Sequence, residues 1–398
     1  MLQNKTILIV GAGFGQVPAI LTAKKIGLRV IGVDRNPNAI GMNLLDEAFV
    51  IDVTDYKSIL QLSIEKKIDG IFTMQSDLPV PSIGYVNENL NLTGIKYKAA
   101  IIASNKIETR ECLLSHNVDQ PLFEIVRNDA EANVAANAIG YPCVIKAIDS
   151  SGSRGVTVIK SSIEIQAAVE SVREHSRKRE FLVEEFISGL ELGAQTFSVD
   201  GECVKILFHN DTIADNGSLV PIGHSFPSSL SLEQKIRAET SIKNALKAIG
   251  ISDGPANIDL ILDDKTQIVN VIEIGARIGA TCLPELVYFH TGIDWVKNSI
   301  LNCIGEKTSF NSTTNIAVAA HIIYSTKTGY LRKVEPPISK NQDFSVLEVE
   351  LTVKVGDRVN KLEKGTDRIG KIICSGNDVF DAEKKARTYF KNFSLYVE

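Results

Sequence analysis

The chain has 398 residues, of which 44% are hydrophobic and 23% are charged. This length predicts two to three domains, and the composition is ordinary for a globular protein. The formal net charge of −5 argues against a general nucleic-acid or membrane-surface binder. No apolar run reaches the roughly 20 residues that span a bilayer, so we expect no membrane segment.

The cysteines and the N-terminus predict a cytoplasmic protein. The six cysteines are scattered, and none forms a CxxC pair. This usage is typical of a reducing compartment, in which thiols act as small buried hydrophobic groups. The first residues lead straight into a predicted strand, so no signal peptide is expected.

The first part of the chain alternates predicted strands with predicted helices. A buried strand at residues 6–10 is followed by a glycine-rich turn and by a helix through residue 26. Further short strands are predicted at residues 29–33, 48–52, 70–74 and 93–95. This alternation predicts a parallel, doubly wound sheet that closes near residue 110.

The glycine-rich turn at residues 11–15 has two interpretations. It lies between a strand and a helix, and Asp34 ends the next strand, which is the arrangement of a dinucleotide site with an acid on the ribose. However, Gln16 stands where the last glycine of GxGxxG belongs. The glycines can also simply permit a tight turn and close helix packing.

The next part of the chain predicts a small sheet that carries two helices. Its strands are expected at residues 121–126, 143–147, 156–159 and 181–186, and its helices at 129–139 and 162–174. Gly140 is a helix-termination signal. Another helix, at residues 105–116, precedes this sheet.

A loop of small residues joins the second and third of these strands. Its backbone N–H groups could wrap around phosphate oxygens, and such loops also act as lids. Lys146, at the end of the preceding strand, is a suitable cation for a phosphate, and Lys106 is a second candidate. The alternative is a flexible hairpin loop. The candidate phosphate-binding residues of the loop are Ser151, Gly152, Ser153 and Gly155.

The strand at residues 181–186 leads into an acidic stretch that could bind a nucleoside. Exposed backbone groups of Glu185, Phe186 and Ile187 could read an adenine edge. Glu184 is spaced for the adenine amino group, and Glu191 for the ribose hydroxyls. The alternative is a strand followed by a solvated acidic turn.

Two apolar runs that contain acids form a predicted antiparallel hairpin at residues 257–261 and 271–277. In a register that sets Asn257 opposite Glu273, these two residues and Asp259 project from one face. A carboxylate within an apolar strand is costly unless it is paired, and Mg²⁺ commonly combines one or two carboxylates with substrate phosphates. The alternative is an edge hairpin with solvated acids.

The remaining predicted elements are simple. A hairpin at residues 192–199 and 202–208 and an amphipathic helix at 233–249 precede the acidic hairpin. The tail from residue 317 contains a predicted strand at 345–353 and a helix at 381–390. No low-complexity segment or clear internal repeat is present.

In this order, these motifs resemble the ATP-grasp superfamily, and the resemblance extends over nearly the whole chain. Lys106 and Lys146 match the two phosphate lysines, residues 183–191 match the adenine–ribose hinge, and Asp259 and Glu273 match the magnesium acids. The tail resembles the carboxylate–amine ligase branch. Relatives of this kind include L-amino acid ligases, phosphoribosylglycinamide synthetase and carbamoyl-phosphate-synthetase-like proteins.

The resemblance implies a mixed α/β and α+β fold. A Rossmann-like domain at residues 1–110 would be followed by a small lobe (lid) at 111–190, a large lobe at 191–316 and a C-terminal subdomain at 317–398. It also implies ATP and Mg²⁺, or Mn²⁺, as the nucleotide and the metal, and a homodimer. Lys146 and Arg277 would be catalytic, with Arg277 stabilising an acyl phosphate that forms between a carboxylate and ATP before an amine attacks it.

One residue departs from the family pattern. The family usually has Glu-x-Asn in the second acidic strand, whereas Gly275 replaces the asparagine here. One oxygen ligand is therefore missing, and Asn257, Asn270 or water could replace it. The number of bound metal ions stays open.

Four further residues are candidates for the substrate pocket. His209, His224 and His290 are possible site residues, and His224 lies in an irregular stretch. Asp77 follows a strand of the first domain, where ligands of parallel sheets often bind. A single histidine, however, more often has a structural role.

The leading hypothesis is an ATP-dependent carboxylate–amine ligase that acts on small molecules. The alternatives are a carboxylase that activates bicarbonate and a ligase of the phosphoribosylglycinamide synthetase type. An NAD-dependent oxidoreductase built on the glycine turn and a non-enzymatic ATP sensor are also considered. The oxidoreductase would leave the acids of the second half unexplained.

Overall fold

A computed structural model describes residues 2–150, 154–214, 220–337 and 345–398. The first domain contains a four-stranded parallel sheet with the strand order β3-β2-β1-β4. Its strands are β1 (Thr6–Val10), β2 (Arg29–Asp34), β3 (Glu47–Val50) and β4 (Gly70–Phe72), and its helices are α1 (Val17–Lys25), α2 (Tyr56–Lys66), α3 (Val80–Asn89) and α4 (Tyr97–Ser104). The predicted doubly wound parallel sheet is thus confirmed.

The predicted strand at residues 93–95 is wrong. This segment is a turn between α3 and α4, in which Gly94 has a φ of 124°. The carbonyl of Ile95 accepts a hydrogen bond from the Asn87 side chain at 3.1 Å rather than from a neighbouring strand. This three-residue segment therefore pairs with no strand of the described part of the chain.

The small lobe is a four-stranded antiparallel sheet with the order β5-β8-β6-β7. Helices α6 and α7 pack on this sheet and share an apolar core with it. The elements of this region are α5 (Lys106–Ser115), β5 (Phe123–Val126), α6 (Asp129–Ile139), β6 (Cys143–Ala147), β7 (Val156–Ile159), α7 (Ile165–His175) and β8 (Phe181–Glu185).

An eight-stranded sheet with the order β13-β12-β9-β10-β11-β14-β18-β16 forms the rest of the molecule together with a sheet of the order β17-β15-β19. The large sheet continues across residue 316, where the large lobe was predicted to end, so that the division into lobes stays a prediction. The strands are β9 (Gly189–Val199), β10 (Glu202–Ile213), β11 (Pro221–Phe226), β12 (Gly254–Asp263), β13 (Val269–Gly275), β14 (Ala317–Tyr324), β15 (Gly329–Glu335), β16 (Val346–Leu351), β17 (Arg358–Val359), β18 (Arg368–Gly376) and β19 (Ser394–Val397). The helices are α8 (Leu232–Ile249), α9 (Leu283–Thr291), α10 (Trp295–Cys303) and α11 (Val379–Lys391).

The two faces of the large sheet have different partners. One face, which includes Ala194 and Ile258, shares an apolar core with α8. The opposite face carries Phe197 and Phe226, which pack against residues of α9 and α10. The polar part of this second face carries the candidate site. Within the described ranges, no helix has both the length and the apolar character needed to cross a membrane.

The predicted acidic hairpin forms, but its predicted register is wrong by two residues. Asp259 lies opposite Glu273, and Asn257 lies opposite Gly275. A shift of two residues keeps the same side chains on the same face, because strand side chains alternate with a period of two. A β-bulge follows Asp259, so that Ile272 is the extra residue of β13.

Candidate active site

Two carboxylates face each other at the centre of the candidate site. Asp259 and Glu273 are paired on neighbouring strands, and each is partly exposed. Burial and the charge of Glu273 raise the pKa of Asp259 to about 7. Burial also tends to raise the pKa of Glu273, but the charge and hydrogen bond of Lys106 hold it below its usual range. Opposed carboxylates repel each other unless a cation lies between them, and their oxygens are suitable ligands for Mg²⁺.

Lys106 contacts one of these acids from α5. Its Nζ atom lies 2.8 Å from Glu273 Oε1 and donates to the carbonyl of Ser150 at 3.0 Å. Asn105 caps the start of α5, since its Oδ1 atom accepts a hydrogen bond from the N–H of Ile107 at 3.0 Å. The cap places Lys106 in the first helical turn, between the acids and the phosphate-loop candidate.

Lys146 forms part of a buried ion cluster between β6 and β8. Its Nζ atom lies 2.6 Å from Glu184 Oε2, and Arg110 Nε lies 2.7 Å from Glu184 Oε1. Burial lowers the pKa of Lys146 to about 8, and the charges of Arg110 and Lys146 outweigh burial to lower the pKa of Glu184 to about 2. Because two cations share one carboxylate, the cluster has an excess positive charge that can attract a phosphate.

Both carboxylate oxygens of Glu184 contact Arg110 or Lys146. This geometry favours a role for Glu184 in positioning Lys146, while its contact with adenine stays a prediction.

In the segment that links β8 to β9, Phe186 is exposed and Ile187 is buried. The carbonyl of Leu122 accepts a hydrogen bond from the N–H of Glu185 at 2.9 Å. Partial burial and the nearby Asp211 raise the pKa of Glu191.

Arg110 is a candidate site residue that the sequence interpretation missed. It is fully buried and donates to the carbonyls of Val271 and Ile272, at 2.9 and 2.8 Å, in the bulged part of β13. It lies four residues after Lys106, and this spacing places both cations on one face of α5. That spacing was the available signal.

Arg277 is held by an acid of the first domain. Its Nη2 atom donates to Asp77 Oδ2 at 3.0 Å, and its Nε atom lies 2.9 Å from Asp77 Oδ1. A Cβ atom at Gly275 would lie 2.8 Å from Asp77 Oδ1 and 3.0 Å from Arg277 Cζ. The ion pair therefore occupies the space that a side chain at position 275 would need.

The phosphate-loop candidate is described only in part. Ser151, Gly152 and Ser153 lie outside the described residues. Gly155 has a φ of 64°, a conformation that glycine adopts at little cost, and its carbonyl accepts a hydrogen bond from the N–H of Ala147 at 2.9 Å. This bond closes the base of the loop beside Lys146.

A second polar cluster lies on the same face of the large sheet. His209 Nδ1 and His224 Nδ1 lie 2.7 and 2.6 Å from Asp211 Oδ1. Ligand atoms of these three residues lie within 4.8 Å of one another, close enough to hold a metal ion. Asp211 was missed, and its position two residues after His209 was the available signal. His290 instead has a structural contact, with Nδ1 2.7 Å from the carbonyl of Ile316.

The glycine-rich turn is filled by its own side chains. Gln16 Nε2 donates to the carbonyl of Met74 at 2.6 Å, and Gln16 Oε1 accepts from the N–H of Gly13 at 3.1 Å. Asp34 Oδ2 accepts from the N–H of Ala12 at 2.8 Å. These contacts occupy the backbone donor and the acid that would otherwise serve a dinucleotide, and so they favour the structural interpretation.

Comparison with protein families assigns two parts of the chain. Residues 139–285 match the ATP-grasp domain, and residues 321–398 match the L-amino acid ligase C-terminal domain 2. The first match includes β6, the hinge and the acidic hairpin. The second match covers most of the tail.

Two curated relatives are similar to the chain over part of their length. The chain is 26% identical over 303 residues to the uncharacterized protein y4rH of Sinorhizobium fredii (strain NBRC 101917 / NGR234), which covers 74% of this chain and 61% of that protein. It is 29% identical over 192 residues to a formate-dependent phosphoribosylglycinamide formyltransferase of Prochlorococcus marinus (strain MIT 9515), which covers 46% of this chain and 48% of that protein. The chain thus spans about half to three fifths of these relatives.

Two solved structures are similar over essentially the whole chain. A phosphoribosylglycinamide synthetase from Anaerococcus prevotii has a TM-score of 0.81 and 29% identity, covering 99% of this chain and 100% of that one. An L-amino acid ligase from Bacillus licheniformis has a TM-score of 0.83 and 21% identity, covering 100% of both chains. Residues 139–285 are therefore an ATP-grasp domain, which is followed by an L-amino acid ligase C-terminal domain 2 at residues 321–398.

Proposed function

We propose that the chain is an ATP-dependent ligase that joins a carboxylate to an amine through an acyl phosphate and releases ADP and phosphate. The observation that carries this proposal is the opposed pair Asp259 and Glu273, with Lys106 2.8 Å from Glu273. Arg277 lies on the same strand–loop segment, two residues after the end of β13. Acids, lysines and an arginine around one cleft suit phosphoryl transfer, which depends mainly on positioning and charge neutralisation.

The nucleotide would lie between the small lobe and the large sheet. Lys106 and Lys146 would bind its phosphates, and the loop of Ser151, Gly152, Ser153 and Gly155 would cover them. The backbone after Glu184 would contact adenine, and Glu191 would accept from the ribose hydroxyls. The excess positive charge of the buried cluster around Glu184 supports the phosphate assignment.

Asp259 and Glu273 would hold Mg²⁺, or Mn²⁺, because they supply two opposed hard oxygen ligands. The bound ion would neutralise charge on the phosphates. Asn257 is a poor replacement for the missing ligand, since its Oδ1 atom accepts from Gln195 at 2.5 Å and its Nδ2 atom donates to Asp259 at 2.8 Å. Asn270 lies opposite Ile261, and its Nδ2 atom donates to the carbonyl of Ile268 at 3.3 Å.

In the first step, the substrate carboxylate attacks the γ-phosphorus of ATP. The bond between this phosphorus and the β–γ bridging oxygen breaks, and ADP leaves. In the second step, an amine attacks the acyl carbon and expels phosphate. Arg277 would stabilise the acyl phosphate and the oxyanion that forms on the acyl carbon, because its guanidinium remains charged and is fixed by Asp77. Lys146 would keep its cationic side chain on the phosphates through both steps.

The test uses purified protein with MgATP, pools of small carboxylates and hydroxylamine as a general amine. We expect ADP release that depends on the carboxylate, together with a hydroxamate product. Individual amino acids then replace hydroxylamine to identify the amine. ADP release that requires bicarbonate, with no amine incorporated, would instead establish a carboxylase. Tight ATP binding with no ADP release from any pair would establish a sensor.

A second candidate is a ligase of the phosphoribosylglycinamide synthetase type. The 29% identity and nearly complete coverage with the Anaerococcus prevotii enzyme favour it. The L-amino acid ligase C-terminal domain at residues 321–398 favours the amino-acid branch instead. ADP release from ATP in the presence of glycine would support this alternative if it depended on phosphoribosylamine and not on a second amino acid. We also propose a homodimer on the basis of the family.

A further inference from the structure

We propose that His224, oriented by Asp211, accepts the proton that the amine substrate loses when it attacks the acyl phosphate. The inference rests on the proposed ligase function and adds a catalytic residue to it.

The pairing of four strands places His224 on the face of the metal-site acids. Directly opposite residues of neighbouring strands share a face. Asp259 is opposite Gly193, and Gly193 is opposite His209. Asp211 follows His209 by two residues and lies opposite His224. His224, on β11, therefore projects from the same face of the large sheet as Asp259, on β12. Strands β9 and β10 lie between them.

One backbone group fixes the hydrogen-bond directions between the two clusters. Gln195 Oε1 accepts from the N–H of Gly279 at 3.2 Å, so Gln195 Nε2 is the donor end of the amide. That Nε2 atom donates to Asn257 Oδ1 at 2.5 Å and lies 3.5 Å from His209 Nε2. His209 Nε2 therefore carries no proton, and its Nδ1–H donates to Asp211.

The two histidines of the cluster are thus not equivalent. Both donate from Nδ1 to the same oxygen of Asp211, whose pKa is well below its usual range because the histidine contacts outweigh burial. The Nε2 atom of His209 faces the Gln195 amide. The Nε2 atom of His224 is hydrogen-bonded to no group of residues 2–150, 154–214, 220–337 or 345–398. A histidine whose Nδ1–H donates to a carboxylate has an unprotonated Nε2 atom that can accept a hydrogen bond or a proton.

The proton that His224 accepts comes from the attacking amine. The amine nitrogen donates its electron pair to the acyl carbon, and the carbon–oxygen bond to the phosphate breaks. The new amide nitrogen then carries one proton too many, which passes to His224 Nε2. The resulting imidazolium is stabilised by the carboxylate of Asp211, to which its Nδ1–H already donates. A metal ion on His209, Asp211 and His224 would exclude this role, because it would compete for the same nitrogens and carboxylate.

The test compares the full-length wild-type protein with His224→Ala and His224→Asn, in which the asparagine amide can still donate to Asp211 but cannot accept a proton. We expect kcat for amide formation to fall about 100-fold in both variants, with a smaller change in the KM of ATP. Imidazole in solution should restore activity to His224→Ala. The exposed His175 provides the control, and His175→Ala should behave as wild type with or without imidazole.

Three outcomes would overturn the inference. The first is amide formation at the wild-type rate in His224→Asn, and the second is a loss in His224→Ala that imidazole does not change. The third is a stoichiometric transition metal in the purified wild-type protein that His224→Ala lacks. Failure of the proposed function is distinguishable, because the wild-type protein would then release no ADP with any carboxylate and amine.

Discussion

The glycine-rich turn of the first domain and the acidic hairpin of the large sheet both have sequence patterns that are typical of ligand-binding sites. They differ in how far their polar groups already have partners within the protein. In the turn, Gln16 and Asp34 bond to backbone groups of the same region. In the hairpin, Asp259 and Glu273 face each other across two strands, and Lys106 pairs with only one of them. The turn satisfies its own polar groups, whereas the hairpin holds like charges that an external cation would stabilise.

This difference shows which residue patterns make a site. A glycine pattern describes a backbone path, which a protein can use for packing alone. Two partly exposed acids in opposed positions cost free energy in the folded protein unless a ligand compensates. The predictions below test this difference between the two regions, from the largest expected effect to the smallest.

The largest effect is expected at the hairpin and the buried lysine. Glu273→Gln removes one of the two opposed acids, and Lys146→Ala removes the buried cation that we propose binds a phosphate. We expect each substitution to lower carboxylate-dependent ADP formation by at least about 1,000-fold, because both groups act on charge that develops during phosphoryl transfer. The far-ultraviolet circular dichroism spectrum should be unchanged.

Glu233→Gln on α8 is the matched control, since Glu233 is exposed and forms an ion pair with Arg237. It should retain wild-type ADP formation. Wild-type turnover in either Glu273→Gln or Lys146→Ala would show that the site assignment is wrong.

An intermediate effect is expected in the pH dependence of metal binding. The raised pKa of Asp259, about 7, means that this carboxyl is protonated in the metal-free protein below that pH. A proton must leave before Mg²⁺ binds, so the apparent Mg²⁺ affinity should fall by about tenfold per pH unit below pH 7 and level off above it. The Mg²⁺ dependence of ADP formation between pH 5.5 and 8.5 measures this.

The same pKa has an opposite consequence for the metal-free protein. The folded state holds the proton of Asp259 more tightly than the unfolded state, whose pKa is near 3.8. This contribution to the free energy of unfolding is therefore present at low pH and is lost as the pH rises to about 7. Asp259→Asn should remove both pH dependences, and a wild-type pH profile in this variant would contradict the assignment.

The smallest effect on activity is expected at the glycine-rich turn. Asp34→Ala removes an acceptor from the N–H groups of Ala12 and Asn36. We expect a loss of roughly 1–3 kcal/mol in the free energy of unfolding, measured by urea denaturation, with less than a threefold change in kcat/KM for ADP formation. A loss of activity as large as that of Glu273→Gln would instead place the turn in the substrate site.

The sequence predicted the faces of the strands better than their partners. Alternation placed Asp259 and Glu273 on one face, but two registers that differ by two residues present the same pattern, and the bulge at Ile272 decides between them in three dimensions. The run at residues 93–95 had strand composition but no strand to pair with. The fold class was predictable because many local signals agreed in order along the chain.

Contacts between distant segments were less predictable. Arg110 binds Glu184 and two carbonyls of β13, which lie 74 and more than 160 residues away. Only its spacing from Lys106 was visible in the sequence. Similarly, Asp211 joins histidines of two strands, one of which comes 13 residues later. Such pairings depend on the final arrangement of the sheets, which local residue patterns do not encode.

A single turn of α5 therefore connects both halves of the cleft. Lys106 contacts Glu273 on the large sheet, and Arg110 contacts Glu184 on the small lobe. A rotation of α5 about its axis would displace Lys106 and Arg110 together, and with them the contacts to Glu273 and Glu184. One short helix thus links an acid of the large sheet to an acid of the small antiparallel sheet.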